Sequence, residues 1–316
     1  MNRNRRDFLK TTSATAAGVV LTPALFAGSN NSKPLAAPIC VFTKCLQFLD
    51  YDKVGETLAK AGFDGAELSV RSGGQVLPEN VKVDLPKAIK AIQKSGISVP
   101  MMVTGITDAE DPISENILAT AANLGVKYYR MGYLKYDKEL NIIANLDAHK
   151  RNIDKLEKLN RKTGIKGVYQ NHSGTNIGGP VWDLYWLLKD FDPKFIGVQY
   201  DIRHAVAEGG VSWPIGMELL APWIDSTPIK DFYWKKENSK WEIMNVPLGE
   251  GMVDFDAFLN EYKRLKINGP FTLHFEYDLG GAESGKTNPK MELDQILTYM
   301  KGDLGWFKKK LIESGL

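Results

Sequence analysis

Gly167-Val168-Tyr169-Gln170-Asn171-His172-Ser173-Gly174 reads as a buried strand that opens into polar, glycine-rich chain. Strand side chains alternate between faces, so Gln170 and His172 are expected on one side and Asn171 on the other. Three later stretches repeat the pattern: Phe195–His204 (FIGVQYDIRH), Thr227–Trp234 (TPIKDFYW) and Phe271–Asp278 (FTLHFEYD). Each is an apolar run that breaks into polar groups at its C-terminal end. Four such ends in one chain imply a fold that gathers them.

On either side of these stretches a unit recurs from residue 39 onward: apolar strand, polar loop, amphipathic helix, then a glycine opening the next strand. The glycine junctions are Gly62, Gly96, Gly125, Gly164 and Gly269. Glycine is favoured there because it tolerates the left-handed conformation that ends a helix. Asp111-Pro112 is a helix start, followed by Ile113, Ile117, Leu118, Ala121 and Leu124 at helical spacing. Asp254 caps a helix that buries Phe255, Phe258, Leu259, Tyr262 and Leu265. Eight strands are expected, near 39–43, 66–70, 97–103, 126–131, 165–171, 195–201, 227–232 and 271–276. Alternation with helices makes the sheet parallel, and eight units make it an α/β single-domain (β/α)8 TIM barrel. A doubly wound sheet would need a phosphate-type glycine loop, and Ser69–Gly74 lacks the spacing. Phe232–Gly251 interrupts the rhythm and reads as a small hairpin inserted after strand seven.

At 316 residues, 43% hydrophobic and 25% charged, the chain has ordinary globular composition and enough length for one large core. The domain division is 1–33 as signal and linker and 34–316 as barrel. Arg5-Arg6 before the short apolar segment Ala14–Phe26 reads as a twin-arginine signal, which places the mature protein in the periplasm. The segment is too short, and too rich in Ala, Thr and Gly, for a stable membrane span. Loss of residues 1–27 removes Arg3, Arg5, Arg6, Lys10 and Asp7, turning the formal charge of +2 into −1. That balance gives no electrostatic reason to expect nucleic acid. Cys40 and Cys45 lie in or just after the first strand and read as buried thiols.

In such a barrel the site lies at the C-terminal strand ends. Alternation then selects Glu67 on strand two, Gln170 and His172 on five, Gln199 and Asp201 on six, Lys230 on seven, and His274 and Glu276 on eight. Arg130 on strand four and His204 beyond strand six join them. A barrel interior is normally filled with Val, Ile and Leu, so this ring of charge is costly unless paired or used. Each residue also has a plainer role: Asp201 as a cap, Glu276 with Lys230 as an ion pair, Arg130 as a bridge between strand ends. Trp182, Trp213, Trp234 and Trp241 fall in loops on the same side. Indole faces suit the C–H faces of sugars. Trp182 and Trp186 share a helical face and read as core, whereas Trp213 and Trp234 read as substrate contacts.

Phe63-Asp64-Gly65-Ala66-Glu67-Leu68, Asp201 with His204, Ile229-Lys230-Asp231 and Pro247–Phe255 (PLGEGMVDF) resemble the signatures of the xylose isomerase-like TIM-barrel superfamily. That group includes sugar phosphate isomerases and epimerases, inosose dehydratases and apurinic endonucleases. The resemblance spans about residues 39–310. It implies a divalent metal at the mouth, held by Glu, Asp, His and Glu, that stabilises an enediolate while a carboxylate moves a proton. Here the first Glu aligns with Gln170, Asp201 is kept, the His aligns with Pro228 and the last Glu with His274. Asp201, His274 and Gln170 are therefore the metal candidates, His172, His204 and Glu276 could rebuild a site from neighbouring positions, and a mixed set of that sort suits Mn2+, Zn2+ or Fe2+ better than Mg2+. With less ligand charge than the family pattern, the alternative is a site without metal, in which Lys230 carries the oxyanion.

The resulting expectation is an exported enzyme that abstracts a proton next to a sugar carbonyl, giving isomerisation, epimerisation or elimination from a keto-glycoside. Glu276 or Glu67 is the base, His172 or His274 the acid, and Lys230 the oxyanion partner. Arg130, Gln170, His204, Trp213 and Trp234 hold the substrate. The alternative is a non-catalytic periplasmic sugar-binding protein on the same scaffold. An apurinic endonuclease would need more histidines than the three at the strand ends.

Overall fold

A computed structural model describes residues 37–316, and the expected signal segment at 1–33 lies outside them. The strands are β1 (Ile39–Phe42), β2 (Gly65–Ser69), β3 (Ser98–Val103), β4 (Tyr128–Arg130), β5 (Lys166–Gln170), β6 (Ile196–Gln199), β7 (Ile224–Ile229), β8 (Asp231–Glu237), β9 (Lys240–Val246) and β10 (Phe271–Leu273). The helices are α1 (Tyr51–Ala61), α2 (Val81–Lys94), α3 (Pro112–Asn123), α4 (Ile142–Thr163), α5 (Val181–Leu188), α6 (Ile202–Gly209), α7 (Trp213–Leu220), α8 (Phe255–Arg264) and α9 (Leu293–Glu313). Eight strands form a closed barrel in the order β1-β10-β7-β6-β5-β4-β3-β2. All its pairings are parallel, and β1 closes the ring by pairing Cys40 with Thr272 of β10 and with Gly65 of β2. This is the expected (β/α)8 barrel.

The helix signals in the sequence act as local chemistry requires. Asp50 caps α1 by accepting from the Lys53 N–H at 2.8 Å, and Asp111, Asn141 and Asp254 cap α3, α4 and α8 in the same way. Gly62 and Gly164 end α1 and α4 at φ 93° and 76°, a region where other residues are strained. Between barrel and helices, side chains such as Leu58, Leu85, Leu118, Ile153, Leu184, Phe258 and Phe307 are fully enclosed. That two-layer core fixes the strand ends from which the functional side chains project. No helix among the described residues is long and apolar enough to cross a membrane.

The inserted segment is an antiparallel hairpin, β8 with β9, separate from the barrel sheet. Its turn is Asn238-Ser239 at φ 48° and 63°, the left-handed pair that a two-residue hairpin turn demands. Its base is held by Asp231, whose carboxylate accepts from the N–H groups of Phe232, Gly249, Gly251 and Val253 at 2.8–3.2 Å. A side chain at Gly251 would collide with that carboxylate, and one at Gly249, where φ is 86°, would collide with Trp306. Strand seven was expected over 227–232. The observed β7 ends at Ile229, so Lys230 is the link between barrel and hairpin.

On the outer layer, Asp303 of α9 accepts from the Leu248 N–H at 3.2 Å and the Tyr277 hydroxyl at 3.1 Å. Burial, reinforced by Glu250 and Asp231, raises its carboxyl to about 7 against the donated hydrogen bonds.

Candidate active site

The C-terminal strand ends build two polar layers. In the lower one, Glu67 of β2 is fully enclosed, and both its oxygens are engaged. Gln199 of β6 donates to Oε1 at 2.7 Å, and His274 Nε2 lies 2.8 Å from Oε2 and 3.2 Å from Thr272 Oγ1. Burial pushes the Glu67 carboxyl up, but His274, then Arg130 and Gln199, pull it below its ordinary value. The His274 ring rests on Phe42 at 4.9 Å.

The upper layer centres on the Lys230 ammonium, which is 3% exposed. It lies 2.8 Å from His204 Nε2, 2.9 Å from Asp201 Oδ2 and 3.4 Å from Glu276 Oε2. Asp201 also caps α6, its other oxygen accepting from the His204 N–H at 3.2 Å. Gln170 donates to Asp201 Oδ2 at 2.7 Å and accepts at its own oxygen from Arg130 (2.7 Å) and the Tyr133 hydroxyl (2.6 Å). Burial and the neighbouring Lys230 hold His204 well below the ordinary imidazole range. His172 stacks on that ring at 3.9 Å and is lowered by burial and Lys230 too. For Glu276, burial opposes ionisation but Lys230 and Lys44 dominate and hold it far below the usual carboxylate range. Its side chain is 21% exposed, whereas those of Asp201 and Glu67 are fully buried.

The sequence reading thus placed Glu67, Gln170, Gln199, Asp201, His204, Lys230, His274 and Glu276 at one end of the barrel, where the structure gathers them. His172, Asp201, Lys230, His274 and Glu276 stand just past the ends of their strands rather than on them. The tryptophans differ from expectation. Trp213 is 7% exposed at the start of α7 and packs on Phe258 beneath the surface, so it is a core residue and no substrate contact. Trp182 and Trp186 do share a face of α5, but it is the outer one, at 58% and 37% exposure. Trp234 is half-exposed on β8, next outward from buried Phe232.

Several groups at the mouth escaped the alternation rule because they sit in helical turns or a bend just past a strand. Lys44 lies 3.8 Å from Glu276. Arg203 donates to Ser173 Oγ at 3.0 Å and to Asn245 Oδ1 at 2.6 Å, and Asn245 donates to the Glu276 carbonyl at 3.3 Å. These bonds tie β9 of the hairpin to the rim. Arg71 stands 5.3 Å from the Phe42 ring centre. A count extended two residues beyond each strand would have found Lys44 and Arg71.

The residues present do not fit a metal site. Gln170 spends its oxygen on Arg130 and Tyr133, His274 belongs to Glu67 in the lower layer, and Asp201 faces an ammonium. No group of three or more His, Cys, Asp or Glu side chains with metal-holding geometry occurs among the described residues. The centre of the upper layer is taken by a cation that the chain supplies itself.

Comparison with known proteins agrees with this architecture. Similar solved structures include an L-ribulose 3-epimerase (14% identity, 88% of this chain and 95% of that one, TM-score 0.66). A 3-keto-D-glucoside 4-epimerase from E. coli is similar at 13% identity (86% and 99% covered, TM-score 0.62). A xylose isomerase-like protein from Mycobacterium smegmatis in complex with magnesium is similar at 15% (85% and 98%, TM-score 0.58). No curated protein sequence matches the chain. The family described as xylose isomerase-like TIM barrel matches residues 56–302, across seven of the eight barrel strands and the hairpin. With the closed barrel and the polar strand ends already in place, that match makes the chain a member of the xylose isomerase-like TIM-barrel family.

Proposed function

We propose that the protein is an exported carbohydrate-active enzyme that removes a proton from the carbon beside a sugar carbonyl, with isomerisation, epimerisation or keto-glycoside elimination as the outcome. The observation that carries this reading is Glu276, a carboxylate open to the mouth and paired at 3.4 Å with a buried ammonium. A base next to a cation is what enolisation needs: one takes the proton, the other receives the developing oxyanion. A carboxylate held so low is a weak base at rest. When a carbonyl oxygen takes an N–H of Lys230, the longest of its three contacts, the one to Glu276, is the first to yield. Glu276 then regains basicity as the oxygen gains charge.

His172, half-buried over His204, donates its Nδ1–H to the Ser173 carbonyl at 2.9 Å, which leaves Nε2 free to take up a proton and return it to the substrate. Trp234 offers an indole face to a sugar ring at the rim. The similar epimerase structures support the chemical class, and export rests on Arg5-Arg6 and Ala14–Phe26. The test is solvent exchange: mature protein treated with a chelator, incubated in deuterium oxide with a panel of ketoses and 3-keto-glycosides. Deuterium entering the carbon next to the carbonyl supports the reading. Binding without exchange leaves the alternative, a sugar-binding protein.

A further inference from the structure

The loops after β1 and β2 and the last residue of β4 bring three cations around one ring. Lys44 Nζ, Arg71 Cζ and Arg130 Cζ stand 5.8, 5.3 and 5.6 Å from the centre of Phe42. Carboxylates on this side are few and already engaged. Glu67 is enclosed by Gln199 and His274, and Glu276 is shared by Lys44 at 3.8 Å with Lys230. The Arg71 guanidinium has no hydrogen-bond or ion-pair partner among the described residues, and only its carbonyl is bonded, by the Gly74 N–H. Arg130 is 5% exposed, spends one nitrogen on Gln170, and leaves its Nε without a partner. Burial lowers both Lys44 and Arg71, helped by repulsion from Lys230 and Arg71 on the first and from Arg130 on the second. Packing like charges out of water without counter-charge is costly, so a fold that keeps them there is short of an anion.

The two halves of the mouth therefore differ. The β5–β10 half carries the proton-transfer groups His172, Asp201, His204, Lys230 and Glu276, while the β1–β4 half presents cations. We infer that the β1–β4 half binds a carboxylate of the substrate, held by Arg71 and Arg130 with Lys44, so that the substrate is a sugar acid and not a neutral sugar. Guanidinium groups present paired N–H donors that match the planar fork of a carboxylate. The inference rests on the proposed function only for where the reacting carbonyl lies.

The test uses the mature Glu276→Gln protein, so that ligands are bound and not turned over. It is titrated calorimetrically with D-fructuronate and D-tagaturonate, with D-fructose as neutral control and D-fructose 6-phosphate as phosphate control. At least one keto acid is expected to bind about tenfold or more tightly than fructose, with affinity falling as salt rises. Arg71→Gln, or Lys44→Gln if the first fails to fold, is expected to collapse that preference. Equal affinity for acid and neutral sugar, no binding of either acid, or a preference unchanged in Arg71→Gln overturns the inference. Tightest binding of the phosphate overturns the carboxylate assignment. Deuterium exchange in the unsubstituted protein is read separately. A bound sugar acid without exchange removes the enzyme reading and leaves the anion site standing.

Discussion

Lys230 Nζ lies 2.8 Å from His204 Nε2, an ammonium donating to an imidazole. An ammonium offers no acceptor, so the ring must accept at Nε2, while its Nδ1 faces both the Ser173 hydroxyl and the Arg203 guanidinium, each at 2.8 Å. With Lys230 on one side and Arg203 on the other, the ring is flanked by cations that keep His204 neutral and fixed. His204 thereby acts as a positioning residue for the ammonium.

Replacing that ammonium is the sharpest test of the centre. Lys230→Met keeps the stem but leaves Asp201 buried beside an apolar group. Turnover is expected to fall by about 10²–10³-fold or more, as on loss of an oxyanion donor. Added Mn2+, Zn2+ or Fe2+ is not expected to restore it. Restoration by metal, followed by initial-rate assays, would show that the strand ends coordinate an ion after all.

Glu276→Gln retains shape and removes basicity. Turnover is expected to drop about 10²–10⁴-fold with substrate affinity largely kept. A change of only a few-fold would make Glu276 structural. Glu67 cannot then step in directly, because both its oxygens are engaged beneath the mouth.

Asp303 gives the fold a pH dependence of definite sign. Its folded pKa is raised from 3.8 to about 7, so its contribution is fully present below about pH 4 and is lost as pH rises through 7. Asp303→Asn keeps an acceptor for the Leu248 N–H and cannot ionise. At pH 8 the variant is expected to melt higher than the parent by about 2–4 °C or more, and near pH 4 the gap should close. A gap that is constant between pH 4 and 8 would remove Asp303 as its source.

Export is checked at the other end of the chain. Replacing both Arg5 and Arg6 by Lys is expected to hold the protein in the cytoplasm, as read by cell fractionation. Unchanged periplasmic delivery contradicts a twin-arginine signal.

The fold was legible because barrel periodicity is written in local chemistry: Asp50, Asp111 and Asp254 start helices, Gly62 and Gly164 stop them, and apolar runs lie between. Much of the site followed from alternation along strands, which holds to the last paired residue, as Gln170 and Gln199 show. Beyond that residue the chain turns, and position no longer implies direction. Asp201, Lys230, His274 and Glu276 lie beyond it and still reach the mouth, whereas Lys44 and Arg203 sit in helical turns and Arg71 in a bend, where alternation does not select them. Trp213 was misread because glycine-rich sequence before it suggested an open loop, while Tyr200 donates to its carbonyl and draws it inward. That Gln170 and His274 fall in different layers depends on strand stagger around the ring, which no single strand reveals.

The barrel hydrogen-bond ring closes without β8 and β9, and Asp231 gathers the two ends of the hairpin at one carboxylate. The hairpin is therefore a cassette, exchangeable above its Asp231 base while Lys230 stays anchored in the ring below. Its aromatic face can drift or be redesigned to suit new sugars without disturbing the groups that move the proton. Changes in substrate range among relatives of this chain are expected to concentrate in residues 233–244, where sequence is cheapest to vary.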